Sequence, residues 1–229
     1  VHIIAATGNH INVPGVFTSA TPELVADLFV REIEDGIEGT DIKAGIIKVA
    51  SDRGGITPGQ EVVLRAAAQT SKRTDIRIST HTWSPDRVGN EQVRILEEEG
   101  VDLDHVYVGH SNDDTDLDYR LGLLQKGVWV GLDRHPGGRL GTPNWEQRTE
   151  LTMQLIQAGY AGRIMLGHDH VPYANWLNAE YREERQKGNP DTYRFISLHV
   201  LPRLKELGAT DADIDQIMVQ NPRRFFEGG

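Results

Sequence analysis

Short apolar runs recur along the chain: VHIIAATG (1–8), AGIIKVA (44–50), IRISTH (76–81), HVYVGH (105–110), VWVGLD (128–133) and RIMLGHD (163–169). Their length and β-branched content predict buried strands rather than helices. The stretches between them carry helix start signals. Thr21-Pro22 sets a cap residue before a proline at the first helical position, and Leu24, Val25, Leu28, Phe29 and Ile33 then follow helical spacing. Thr57-Pro58-Gly59-Gln60 repeats that start with a capping-box glutamine. Further helices are expected over 90–99, 115–126, 145–159, 193–207 and 211–219. No linker or low-complexity tract interrupts the series, so residues 1–229 read as one domain.

Strands alternating with helices indicate an α/β fold with a parallel, helix-covered sheet. Polar residues sit where the strands end: His81, His110, Asp133 and Asp169. A doubly wound sheet gathers such residues at one switch point, whereas a TIM-type (β/α)8 barrel sets them around its C-terminal rim. The barrel is therefore the expected fold. Only about six βα units are present, two short of eight, and the chain opens directly on an apolar strand. Something upstream is therefore expected to be missing.

Composition narrows the partners. A net charge of −10 disfavours nucleic acid and anionic membranes, and no apolar run is long enough to span a bilayer. The absence of cysteine excludes disulfides, thiolate ligands and a cysteine nucleophile, and suits a reducing, cytoplasmic compartment. No Gly-rich phosphate loop and no GxSxG elbow occurs.

Two histidines ending successive strands, His81 and His110, with Asp169 closing a third, form a donor set that suits zinc, iron, manganese or cobalt. Lys48 interrupts the apolar run AGIIKVA. Such a lysine either snorkels to water or sits dry with a depressed pKa. In the second case its neutral amine can add carbon dioxide and become a carbamate, an anionic two-oxygen ligand.

VHIIAATG, AGIIKVA, the STH of 79–81, VGHSNDDTD (108–116), VGLDR (130–134), LGHD (166–169) and QNPRRFF (220–226) together resemble the phosphotriesterase family of the amidohydrolase superfamily. The resemblance runs in order over essentially the whole chain. It implies a binuclear metal-dependent hydrolase in which a hydroxide bridging two divalent ions, zinc foremost, attacks the substrate. It also implies a homodimer. Lys48 matches the carboxylated bridging lysine, His81 and His110 the ligands of the more exposed metal, and Asp169 the carboxylate that binds the buried metal and shuttles a proton.

The pattern departs from the family in one respect. An HxH pair on the first strand should complete the buried site, and none occurs before Lys48; His168-Asp169-His170 is not equivalent. His168 and His170 are expected to support the site from behind or to hold the scaffold. His105, His2 and His199 are read as scaffold.

Arg134, in GLDR, resembles the lactonase-type members, so a lactone of the acyl-homoserine type is the expected substrate. Arg134 would hold its acyl oxygen, or else pair with Asp133 or another rim carboxylate. His10 stands where those members place a tyrosine, which keeps an organophosphate triester open as the alternative. The stretch 170–193 is long for a βα connection and reads as a lid, with Tyr173 and Trp176 against the substrate. A catalytically silent fragment or binding protein of the same fold is the third reading.

Overall fold

The computed structural model describes residues 2–138, 141–171 and 178–228. Its strands are β1 (Ala6–Asn9), β2 (Ile46–Ala50), β3 (Ile78–His81), β4 (Val106–Val108), β5 (Trp129–Leu132) and β6 (Ile164–Leu166). They form one parallel sheet in the order of the chain, with no reversal. That succession is the wall of a (β/α) barrel and not a doubly wound sheet. Among the described residues β1 and β6 remain its two edges.

The helices between the strands are α1 (Pro22–Glu34), α2 (Pro58–Thr74), α3 (Val88–Glu98), α4 (Leu117–Gln125) and α5 (Trp145–Gln157). The Thr57–Gln60 capping box is formed on both sides, and Asn144–Gln147 makes a second one ahead of α5. No helix among the described residues is long and apolar enough to cross a membrane.

Three expectations are corrected. The first apolar run forms strand only from Ala6, because β1 pairs with β2 over Ala6–Asn9 alone, and Ile3 is left exposed. Within 170–193 the charge run is helical: α6 (Ala179–Gly188) is braced by a Glu183–Lys187 ion pair one turn apart. The C-terminal helices are each broken by a π-helical turn, Ile196–Val200 before Leu201–Glu206 and Gln216–Gln220 before Asn221–Glu227. Pro202 and Pro222 account for both. Each lacks an N–H and crowds the carbonyl four residues back, which falls inside the widened turn.

Strand alternation sorts the side chains into two faces. Ile47, Val49, Ile78, Val106, Val108, Val130, Leu132 and Ile164 join the helices in the main core. Ile46, Tyr107, Trp129 and Met165 face the other way and pack around Phe225. Lys48 alternates with Ile47 and Val49, and pairs in register with Ser79, which pairs with Tyr107. Lys48 therefore lies on the inner face, above the Trp129–Phe225 plug.

Candidate metal centre

Lys48 sits in a polar strip on the inner wall. Its Nζ lies 3.3 Å from Ser79 Oγ. Burial pushes its ammonium pKa down, and Asp133 and Asp169 only partly offset that push. The neutral amine is therefore easier to reach here than in water.

His81 ends β3 and is buried; its Nε2 has no hydrogen-bond partner among the described residues, with Asp52 Oδ2 3.8 Å away. Burial, and then the neighbouring His110, take its pKa down to about 2. The two rings meet edge to face with centroids 4.5 Å apart, and His10, on the exposed rim, contacts His81 from the other side at 5.2 Å. His110 lies two residues beyond β4 in a left-handed conformation, φ 58°. Asp169 follows β6 with φ 44°. Non-glycine residues held in that region cost on the order of 1–3 kcal/mol and concentrate at functional sites.

Asp133 fixes His110. One carboxylate oxygen accepts the backbone N–H and ring Nδ1 of His110, at 2.8 and 2.9 Å, and the other accepts Tyr107 Oη–H at 2.9 Å. Burial works against the carboxylate charge, but His110, Lys48 and Tyr107 outweigh it and hold Asp133 well below the usual carboxylate range. With Nδ1 committed, Nε2 is the His110 nitrogen left for ligation. Gly131 makes room for this arrangement, since a Cβ there would lie 2.3 Å from Tyr107 Oη.

Arg134 pairs with rim carboxylates, though not with Asp133. Its Nε donates to Asp169 Oδ2 at 3.0 Å and Nη1 donates to Asp113 Oδ2. Asp113 is buried and also receives Arg148 Nη2 at 3.0 Å. A chain of alternating charge, Arg148–Asp113–Arg134–Asp169, thus reaches the rim. His168 and His170 stand behind it: His168 Nε2 accepts the Ile196 N–H at 3.2 Å, and the His170 carbonyl accepts Tyr193 Oη–H at 2.9 Å. A cavity of about 430 Å³ opens beside Arg134 and Asp169, walled also by Trp83, His135, Arg148 and the α6 residues Glu184 and Arg185. Tyr173 and Trp176, expected in the lid, lie outside the described residues.

Among the described residues, no three His, Asp or Glu side chains converge to enclose a cation by themselves. The pair of imidazoles needs Lys48 as a further donor, and an amine serves poorly unless converted to an anion. The His81 nitrogen without a hydrogen-bond partner among the described residues, the committed His110 tautomer and the buried Lys48 amine fit one divalent ion. For a second, buried ion the described residues offer Asp169 and a shared carbamate on Lys48, without the histidine pair that the resemblance implies.

Sequence reasoning missed Asp113, Arg148, His135 and Tyr107. Asp113 lies in the quoted SNDD motif and Tyr107 inside a strand run, but Arg148 reads as an ordinary polar position of a helix.

Comparison with known proteins agrees with this architecture. The model of the phosphotriesterase family matches residues 1–226. A phosphotriesterase homology protein of Mycobacterium tuberculosis is 42% identical over 208 residues, covering 90% of this chain and 62% of that protein. An aryldialkylphosphatase of Saccharolobus solfataricus is 37% identical over 228 residues, covering 99% of the chain and 72% of the relative. An N-acetyltaurine hydrolase of Dictyostelium discoideum is 29% identical over 237 residues, covering 99% of the chain and 62% of the relative. This chain, an arc of six βα units spanning about three-fifths of the mycobacterial relative, belongs to the phosphotriesterase family.

Proposed function

We propose that this protein is a metal-dependent hydrolase, with a carbamate formed on Lys48, and that its substrate is a lactone of the acyl-homoserine type. The observation that carries the reading is the inner-wall position of Lys48, where burial lowers its ammonium pKa, in register with Ser79 on the strand that His81 ends. A neutral amine adds carbon dioxide with loss of one proton, giving the anionic ligand that the imidazoles lack. Lys48, His81, His110 and Asp169 would hold divalent metal, zinc foremost, with iron, cobalt or manganese also compatible with these donors. Bound metal supplies Lewis acidity, polarising a substrate oxygen and acidifying water near neutral pH.

The protein's own groups do the rest. Asp133 keeps His110 in one tautomer and one orientation. Asp169 takes the proton of the attacking water, and Arg134 aims its carboxylate from the rim. The fixed charge of Arg134 also suits an acyl oxygen at the mouth of the neighbouring cavity, and His10, against His81, would contact the substrate as well. The cavity would take the substituent of the ring.

A phosphotriester is the second reading, favoured by the similarity to the Saccharolobus aryldialkylphosphatase. Hydrolysis of an acyl-homoserine lactone and an aryl dialkyl phosphate by one zinc-supplemented preparation separates the two. A lactone kcat/KM about 100-fold higher, some 2.7 kcal/mol of transition-state preference, supports the lactone reading. The reverse order overturns it.

A further inference from the structure

Among the described side chains of α6, Arg185 alone is not exposed. What the helix presses against the barrel is therefore a guanidinium, and its target is a backbone atom of the site. Arg185 Nη2 donates to the carbonyl oxygen of Asp169 at 2.7 Å. Donation from a fixed charge makes this stronger than a neutral hydrogen bond. Both residues line the cavity described above.

Asp169 has need of such a contact. It lies just beyond β6 with φ 44°, a conformation that a non-glycine residue keeps only where its surroundings impose it. Arg134 holds the carboxylate, Nε to Oδ2 at 3.0 Å, but that bond leaves the backbone free to turn. The residues on either side are tied to later parts of the chain, His168 through the Ile196 N–H and His170 through the Tyr193 hydroxyl. Arg185 adds the tie at Asp169 itself. With β6 fixing the chain before this residue and Arg185 fixing the carbonyl after it, the direction of the Cα–Cβ bond has little freedom left.

We infer that Arg185 is a positioning residue for Asp169, holding its carbonyl so that the carboxylate is aimed into the site, and that the seating of α6 is thereby a condition of that aim. This rests on the proposed function in so far as Asp169 is there a metal ligand and proton acceptor.

The sequence allows a direct readout. Asp-His occurs twice, as Asp104-His105 and Asp169-His170, so isotope labelling of aspartate carbonyl carbon and histidine nitrogen gives two coupled NMR signals. In Arg185→Met, which keeps the stem, the Asp169-His170 signal is expected to shift. The Asp104-His105 signal, at the opposite end of the strands, should stay in place. Zinc affinity should fall about tenfold. On whichever of the lactone and the aryl dialkyl phosphate is hydrolysed, kcat should fall by a similar factor with KM nearly unchanged. Arg185→Lys, which can still donate to the carbonyl, should recover much of each loss.

An Asp169-His170 signal that stays put in Arg185→Met overturns the assignment. So does a shifted signal with zinc affinity and kcat intact, a loss confined to KM, or no recovery in Arg185→Lys. Hydrolysis of neither substrate by the native protein would instead sink the proposed function, and the NMR signal and zinc affinity would then decide on Arg185.

Discussion

One oxygen of Asp133 accepts two hydrogen bonds from His110, from its backbone N–H at 2.8 Å and its ring Nδ1 at 2.9 Å. The same contact that fixes the ring therefore also supports the left-handed backbone that aims it. Asp133→Asn keeps an acceptor but removes the charge. It is expected to weaken metal binding about 10- to 100-fold with the fold intact. Zinc titration against a chromophoric chelator, with circular dichroism as the fold control, measures this; unchanged affinity would show that Asp133 serves only the backbone.

Lys48→Met retains the apolar stem and deletes the nitrogen. Activity and bound metal should be lost together, and the native protein supplied with isotope-labelled bicarbonate should show a carbamate carbon by NMR that the variant lacks. Metal content that survives in the variant would leave His81 and His110 binding without help from Lys48.

Asp113 is clamped between Arg134 and Arg148, and its side chain is 2% exposed. Asp113→Ala leaves two guanidiniums, one of them fully buried, without their shared anion. A loss of about 3–5 kcal/mol in urea denaturation is expected, far more than for removing a surface ion pair. A loss below about 1 kcal/mol would mean that water replaces the carboxylate.

The elements of the barrel wall were readable because each strand has to bury both faces, and an apolar run records that directly. Lys48, His81, His110 and Asp169 were readable for the converse reason: a polar residue in or after such a run needs a cause. Arg134 was legible only in part. The sequence gives its charge, while its two partners come from β4 and β6 loops that are distant in the chain. Arg148 could not be found, since a polar residue in an amphipathic helix is ordinarily solvated; α5 instead turns this one inward beneath Asp113. The helix inside 170–193 was hidden by composition, as a run of alternating charges fits a solvated helix and a loop equally well.

Gly131 is the least polar part of the site and tests how tightly it is built. In Gly131→Ala the new methyl would collide with Tyr107 Oη, which has the Phe225 plug at its back. Tyr107 must then leave Asp133. Overpacking of this kind costs about 1–3 kcal/mol, and kcat should fall along with the melting temperature. A stable, fully active variant would show that the Tyr107–Asp133 hydrogen bond is dispensable.

His135 makes stability depend on acid. Burial foremost, with Arg148 adding to it, lowers its pKa from the ordinary 6.5 to about 3. The folded protein therefore keeps this imidazole neutral where the unfolded chain would protonate it. The unfolded state binds the extra proton, so the contribution is complete above about pH 6.5 and is lost progressively as pH falls toward 3. The slope from this one group reaches at most about 1.4 kcal/mol per pH unit within that window. His135→Phe removes the titrating group and its unsatisfied nitrogens together. Urea unfolding between pH 7 and pH 5 should then show a variant at least as stable as the native protein at the upper end and losing less toward the lower. If the two curves run parallel, His135 is already protonated or already hydrated in the folded protein, and the cavity it lines is wetter than its burial implies.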